Sequence, residues 1–384
     1  MKASWNKVAL GDVLQREKQV VKISPNEEYS EVTVRLWGKG VNLRGKKLGA
    51  EVGSSSRYKV KSGYFIFSKI DARHGAFGIV PPSLDGAIVT ADFPVYSAKE
   101  DKIDINFLYW MSKTPSFIDA CKIASKGTTN RVRLKESKFE DISVFLPNLS
   151  MQKSIVKRIE EVHRKYLLLN SQRQRVLEQA NAVLSSAFDE ILQSSEWGKM
   201  KDVCPIIRRE VEHKLDSEYP EIGVRSFGNG TFHKPTLVGS EIETKRLYMV
   251  KNGDLLFSQM FSWEGAVAVP SGKDDGRIVS NYFITCSPNE EITNSNFLCY
   301  YFLTSEGLEK LSEASSKWGG RNRPLSTKKL EEIEVPLPKI ENLKYFIELK
   351  NKIQQIKKLS EDSILPLGAL MPSILDKAYK GELL

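Results

Sequence analysis

Two basic segments hold the side chains best suited to gripping an anionic, base-bearing partner. "KGTTNRVR" supplies Lys126, Thr128, Thr129, Asn130, Arg131 and Arg133, and "KWGGRNR" supplies Lys317, Trp318, Arg321, Asn322 and Arg323. Arg and Lys bind phosphate and can pair bidentately with guanine, and Asn can do so with adenine. The glycines allow close backbone approach. A basic turn ahead of a strand is the plain alternative, but recurrence at matching places in both halves of the chain weighs against it. A second pair shares a frame and differs at the tips: "SKIDARHGA" from Ser68 and "SQMFSWEGA" from Ser258. Phe-Ser and Gly-Ala stay, while Lys69 becomes Gln259, Arg73 becomes Trp263 and His74 becomes Glu264. Two readers of different base sequences would show this pattern; a drifting surface hairpin is the alternative. The candidate DNA-contacting set is therefore Lys69, Arg73, His74, Ser258, Gln259 and Trp263 with the residues of the two basic segments. Trp37 and Phe227, before "GKG" and "GNG", read as core or turn packing more readily than as base-stacking residues.

Catalytic signatures are missing from the sequence. It has no GxxxxGK[ST] phosphate loop, no strand-following GxGxxG, no amino-methylation tetrad and no GxSxG elbow. The four histidines are scattered. Asp202 with Glu212 and Lys214 loosely resembles the carboxylate and lysine set of a Mg²⁺-dependent nuclease. The first half matches Asp12 there but offers no equivalent Glu-x-Lys. No catalytic residue and no metal ligand is assigned.

These segments are positioned by a duplication. Shifting the sequence by 190 places "EYSEVTVRLWGKG" from Glu28 on "EYPEIGVRSFGNG" from Glu218, and "YKVKSGYFIFS" from Tyr58 on "YMVKNGDLLFS" from Tyr248. After one inserted residue the match continues, with "LP" at Leu146 on "LP" at Leu337 and Ala187-Phe188 on Ala378-Tyr379. Two copies predict two similar domains related by an approximate two-fold axis. Each copy opens with short β-type runs divided by Gly, Pro and Asp turns, then a helical piece, which predicts an α+β domain. The expected divisions are recognition domains at 1–147 and 193–338, with long helices at 148–192 and 339–384.

In the first long helix Ile155, Val162, Leu169, Val176 and Val183 recur every seven residues. Ile159, Tyr166, Ala180 and Ala187 fill the four-residue offset, with Arg173 as the one break. That is a coiled-coil seam. Phe346, Ile353, Leu367 and Ile374 align with it in the second copy, where Pro366 and Pro372 should kink or break the helix. Two such helices are expected to pair antiparallel.

The 384-residue chain has a net charge of +9, which favours an anionic partner such as double-stranded DNA. No apolar signal core and no run approaching a membrane span is present, so a cytoplasmic location is expected. Four cysteines without metal spacing read as reduced core residues.

The two β-rich domains with long helices, the "KGTT-R-RL…LP…Q" junction and the tail "AYKGELL" resemble the specificity subunit of a type I restriction–modification system. The second junction, "KWGGRNRPL", lacks the Thr pair. The resemblance implies a non-catalytic subunit whose domains each read half of a split, asymmetric DNA site. It also implies helices that set the spacing and dock two adenine-methylating subunits, which endonuclease/translocase subunits can join. S-adenosylmethionine, ATP and Mg²⁺ would belong to those partners, leaving this chain without a cofactor. A nuclease, or the recognition component of another methyltransferase-based defence system, stands as the alternative.

Overall fold

The computed structural model describes residues 5–125, 132–212, 214–242, 246–316 and 320–382. The chain forms two compact units, Met1–Arg173 with Ser360–Leu384, and Gln174–Leu359. Each is a mixed α/β body that includes part of the long helices.

In the first unit the strand Phe65–Phe67 lies within a four-stranded antiparallel sheet, in the order Leu14–Glu17, Val95–Ala98, Phe65–Phe67, Phe77–Ile79. A five-stranded sheet runs Val20–Lys22, Ser56–Lys59, Ile88–Val89, Glu28–Arg35, Gly40–Leu48, with one parallel contact, between Ile88–Val89 and Glu28–Arg35. The second unit repeats this plan with its strands divided among smaller sheets. Leu255–Ser258 sits between Val267–Ala268 and Phe283–Cys286, and Ile222–Val224 pairs with Thr231–His233 where the first unit has its long Glu28–Leu48 hairpin. Each unit is closed by a clip. Asn6–Ala9 pairs antiparallel with Ser143–Leu146, and Glu196–Lys199 with Glu334–Leu337. The clips bring the start of each domain to the strand that leads into its helix.

The first core is aromatic. Phe65, Phe67, Phe77, Tyr96, Phe107 and Phe139 are buried together with Ile155 and Ile159 of the central helix and Leu375 and Ala378 of the last helix. Burying such rings is the dominant favourable contribution to a fold of this kind. The tail motif has a physical role here. Ala378 is buried, the Tyr379 hydroxyl donates to the Phe107 carbonyl at 2.7 Å, and Gly381 (φ 76°) takes the left-handed position that ends the helix. In the second core Phe188 stands in the place of Tyr379, 5.3 Å from Phe297, the counterpart of Phe107. Each unit thus combines the start of its own copy's helix with the end of the other copy's.

The central helix runs Leu149–Gln193, close to expectation. Its buried stripe differs from the expected heptad row. Ile155 is buried, but Leu169, Val176 and Val183 are about half exposed, and burial passes to Leu184, Phe188 and Ile191. A straight helix of 3.6 residues per turn drifts by about 20° per heptad against a seven-residue row. Over the four heptads from Ile155 to Val183 that is about 80°, nearly one residue's rotation, so Leu184 replaces Val183. Within the second unit the helix Ile340–Asp362 packs against it antiparallel. Phe346 lies 5.6 Å from Phe188, while Ile353 and Lys357 line one cavity with Asn181 and Leu184. The C-terminal helix breaks at Ser363 and resumes at Ile364–Lys380. Pro366 has no N–H to offer the Asp362 carbonyl, which accounts for the break, whereas Pro372 lies within the resumed helix.

Candidate nucleic-acid interface

The frame shared by the two hairpins is built the same way in each unit. Ser68 leaves a fully buried strand, and its N–H donates to the Ala76 carbonyl at 3.1 Å across a one-turn 3₁₀ helix, Ala72–His74. Ser258 does so to Ala266 at 2.9 Å across Ser262–Glu264. Gly75 (φ 74°) and Gly265 (φ 79°) close the loops in the left-handed region, where a side chain would be strained. The turn is stabilised differently in each. The Ser68 hydroxyl donates to the Asp71 carboxylate at 3.2 Å, whereas the Ser262 hydroxyl donates to the Ser258 carbonyl. A fixed frame therefore carries the divergent tips.

Each hairpin is joined to its basic segment by backbone. The Leu134 N–H donates to the Lys69 carbonyl at 2.8 Å, and the Leu325 N–H to the Gln259 carbonyl at 2.7 Å. Leu134 and Leu325 are fully buried anchors. This brings Arg133 beside the first hairpin. Lys126, Thr128, Thr129, Asn130 and Arg131 lie outside the described residues, as do Lys317 and Trp318.

The candidate side chains divide by what they touch. Lys69 is largely buried and its ammonium lies 2.7 Å from Glu136, whose other oxygen accepts from Arg16 at 2.8 Å. Burial alone would raise the Glu136 carboxyl, but the hydrogen bonds from Arg16 and Lys69 outweigh it and hold the group at about 2. Lys69 therefore serves the base of the hairpin. Arg73 and His74 stand at the tip, partly exposed, and the Arg73 Nε makes no hydrogen bond among the described residues. Arg133 is exposed and lies 3.4 Å from Asp92.

In the second unit Arg321 is mostly exposed, and its guanidinium is 3.0 Å from Glu264. The hydrogen bond from Arg321 holds the Glu264 carboxyl below the usual range, against partial burial. Trp263 Nε1 donates to the Arg321 carbonyl at 3.2 Å, and the Arg323 guanidinium covers the Trp263 ring at 4.7 Å. Arg323 also donates to Ser312 and Ser316, so it is an anchor of the loop. Asn322 is exposed, Gln259 is partly exposed and Ser258 is buried in the frame.

Trp37 and Phe227 overturn the packing expectation. Their rings are 71% and 72% exposed. Both lie at φ 60°, and they are the only non-glycine residues at positive φ among those described. A left-handed L-residue of this kind costs about 1–2 kcal/mol. Each is tied to the neighbouring reader hairpin by a pair of backbone hydrogen bonds. Trp37 N–H donates to His74 O and Gly38 N–H to Gly75 O, both at 2.9 Å, and Phe227 and Gly228 repeat this on Glu264 and Gly265 at 2.9 Å. The repeated aromatic-Gly-x-Gly spelling was the available signal. The Arg16–Glu136 support was not visible in sequence.

The nuclease set is not assembled. Asp202 lies on the short helix Met200–Val203 next to the clip, and Glu212 and Lys214 follow the strand Glu210–Val211 in another sheet. Among the described residues no His, Cys, Asp and Glu group is arranged to hold a metal ion, and no helix is long and apolar enough to cross a membrane.

The two units thus present hairpins of one backbone frame with different tip residues. The family described as "Type I restriction modification DNA specificity domain" matches residues 2–179 and again 194–361, and the chain belongs to that family, the non-catalytic specificity subunits that recognise DNA sequence for type I restriction–modification complexes. No curated protein matches the chain. Among solved structures, the HsdS subunit from Thermoanaerobacter tengcongensis is 18% identical, with a TM-score of 0.61 over 99% of this chain and 97% of that one. A chain solved for the "complex assembly and conformational transition of the type I R-M system" is 17% identical, with a TM-score of 0.69 over 99% and 98%. At these identities the likeness is one of fold.

Proposed function

We propose that the chain reads a bipartite, asymmetric site in double-stranded DNA, one half through each recognition domain, 1–147 and 193–338. The carrying observation is the pair of hairpins with one backbone frame and different tips, each hydrogen-bonded to its own basic segment. In the first half-site the base-reading side chains are Arg73, His74 and Arg133, and the sequence adds Lys126, Thr128, Thr129, Asn130 and Arg131 as candidates. In the second they are Gln259, Trp263, Arg321 and Asn322, and the sequence adds Lys317 and Trp318 as candidates. Lys69, Ser258 and Arg323 position these tips and do not read bases themselves. Bidentate contacts of Arg, Asn or Gln to base edges supply such selectivity.

The helices at 148–192 and 339–384 act as the spacer and as the docking site for two methyltransferase subunits, which endonuclease subunits join. S-adenosylmethionine, ATP and Mg²⁺ act on those partners.

The test is methylation-sensitive sequencing of DNA from cells carrying this chain or its Arg73→Ala/His74→Ala variant. One half-site should change and the other should persist, with roughly 1–3 kcal/mol lost per bidentate contact. Equal weakening on all sequences would reduce these residues to phosphate contacts.

A further inference from the structure

We propose that Trp37 and Phe227 are specificity-determining residues, each pressing an apolar ring against the bases of its own half-site. The proposal rests on the half-site reading above. Folding alone does not account for these rings. Both are nearly three-quarters exposed, so they bury little, and both occupy the left-handed backbone region that glycine enters without strain. Gly38 and Gly40 on one side, and Gly228 and Gly230 on the other, already take positive φ in the same turns. A third glycine in each turn would relieve the strain at positions 37 and 227, yet each copy keeps an aromatic there.

Position identifies the use. Paired backbone hydrogen bonds clamp each turn to the tip of the reader hairpin, and the Trp37 ring lies 5.8 Å from the His74 ring. The turn backbone is therefore fixed beside the residues that read bases, and an aromatic side chain has only two torsions to order on contact. Charge identifies the occupant as duplex DNA. Between Val32 and Leu48 the chain carries Arg35, Lys39, Arg44, Lys46 and Lys47 and no carboxylate, and among the described residues only Lys46 and Lys47 form ion pairs. Exposed Arg225 lies two residues before Phe227, and exposed Arg321 pairs with Glu264, whose carbonyl accepts from the Phe227 N–H. A polyanion satisfies such surroundings, whereas an apolar protein groove does not. An uncharged ring among phosphate-binding cations can meet the apolar part of a base, either a thymine methyl group in the major groove or a base face at an opened step.

The test uses the full chain in complex with its methylating partner subunits, selecting bound duplexes from a randomised pool. The variants are Trp37→Gly and Phe227→Gly, which remove the ring and relax the backbone, so the melting temperature should stay level or rise. Trp37→Gly should reduce base preference at one or two adjacent positions of one half-site by roughly 10-fold or more and leave the other intact. Phe227→Gly should do the same in the opposite half. Deoxyuridine in place of thymine at the affected position weakens wild-type binding if the methyl group is the contact. A 2-aminopurine at that step brightens on binding if the ring enters the stack. Either response supports the proposal. It is overturned if both variants select the wild-type site with wild-type stringency, if preference falls equally in both halves, or if the variants melt lower because the ring is packing material. A wild-type complex that selects no half-sites would sink the recognition reading as well, a result distinct from intact half-sites indifferent to both variants.

Discussion

Replacing Glu136 by glutamine tests whether the first reader hairpin is held by charge from beneath. Glu136 takes hydrogen bonds from Arg16 at 2.8 Å and Lys69 at 2.7 Å, and Lys69 belongs to the hairpin itself. Its carboxyl titrates at about 2 in the folded chain, against an ordinary value of 4.5. That gap corresponds to about 3 kcal/mol at full strength, and solvent access to the cluster reduces it to roughly 1–2 kcal/mol. A carboxyl with a depressed folded value stabilises the fold fully above its unfolded value, so the contribution is complete above about pH 4.5. It fades as the pH falls through the range from about 4.5 to about 2. Glu136→Gln should therefore destabilise the first unit by roughly 1–2 kcal/mol at neutral pH, and the difference from wild type should shrink as acid protonates the wild-type carboxylate. Urea unfolding followed across pH gives the free energies. Hydrogen exchange at the Leu134 amide, which donates to the Lys69 carbonyl, reports on the first unit alone. In the same variant the first half-site should lose stringency while the second keeps it. A difference independent of pH, or equal loosening of both halves, would refute the argument.

Three further outcomes follow from the packing. Phe346→Ala should cost roughly 3–5 kcal/mol in the second unit, since the ring is fully buried among Phe188, Phe297 and Tyr300, whereas Val183→Ala at its half-exposed position should cost little; denaturant midpoints of the two variants check the position of the seam. Tyr379→Phe should lose about 1 kcal/mol, because it leaves the buried Phe107 carbonyl without its hydroxyl donor, and calorimetry reads the change. Inserting seven residues near Ser171 lengthens the helix by about 10 Å, close to three base pairs of DNA rise, so the unread spacer of the target should grow by a few base pairs while both half-sites persist in methylome sequencing.

Several features were legible in the sequence because they are local or repeated. The Ser-…-Gly-Ala frame is a turn requirement, so two copies preserve it while the tips vary, and the shift of 190 exposes it directly. The bounds of the first long helix follow from a periodicity interrupted only at Arg173, and the later break follows from the proline that cannot donate to Asp362. Other features needed long-range contact. Nothing near Lys69 in the chain announces Glu136 or Arg16, so an exposed-looking cation proved to be a buried support. Trp37 and Phe227 looked like packing because large aromatics usually are; only their surroundings show that, among the described residues, they stay 71% and 72% exposed.

The sequence by itself determined the duplication, the α+β class, the long helices and the two frames with different tips, because these are properties of adjacent residues and their spacing. The tertiary structure alone decided which helix end closes which core. The start of the central helix joins Phe107 and the tail residue Tyr379 in the first unit, while its end carries Phe188 to Phe297 in the second. Both long helices end in an Ala-aromatic pair, Ala187-Phe188 and Ala378-Tyr379, so local pattern cannot choose between them. The choice falls to long-range packing within each unit, and to the drift of 3.6 against 3.5 residues per turn, which selects Leu184 and Phe188 for burial and leaves Val183 outside.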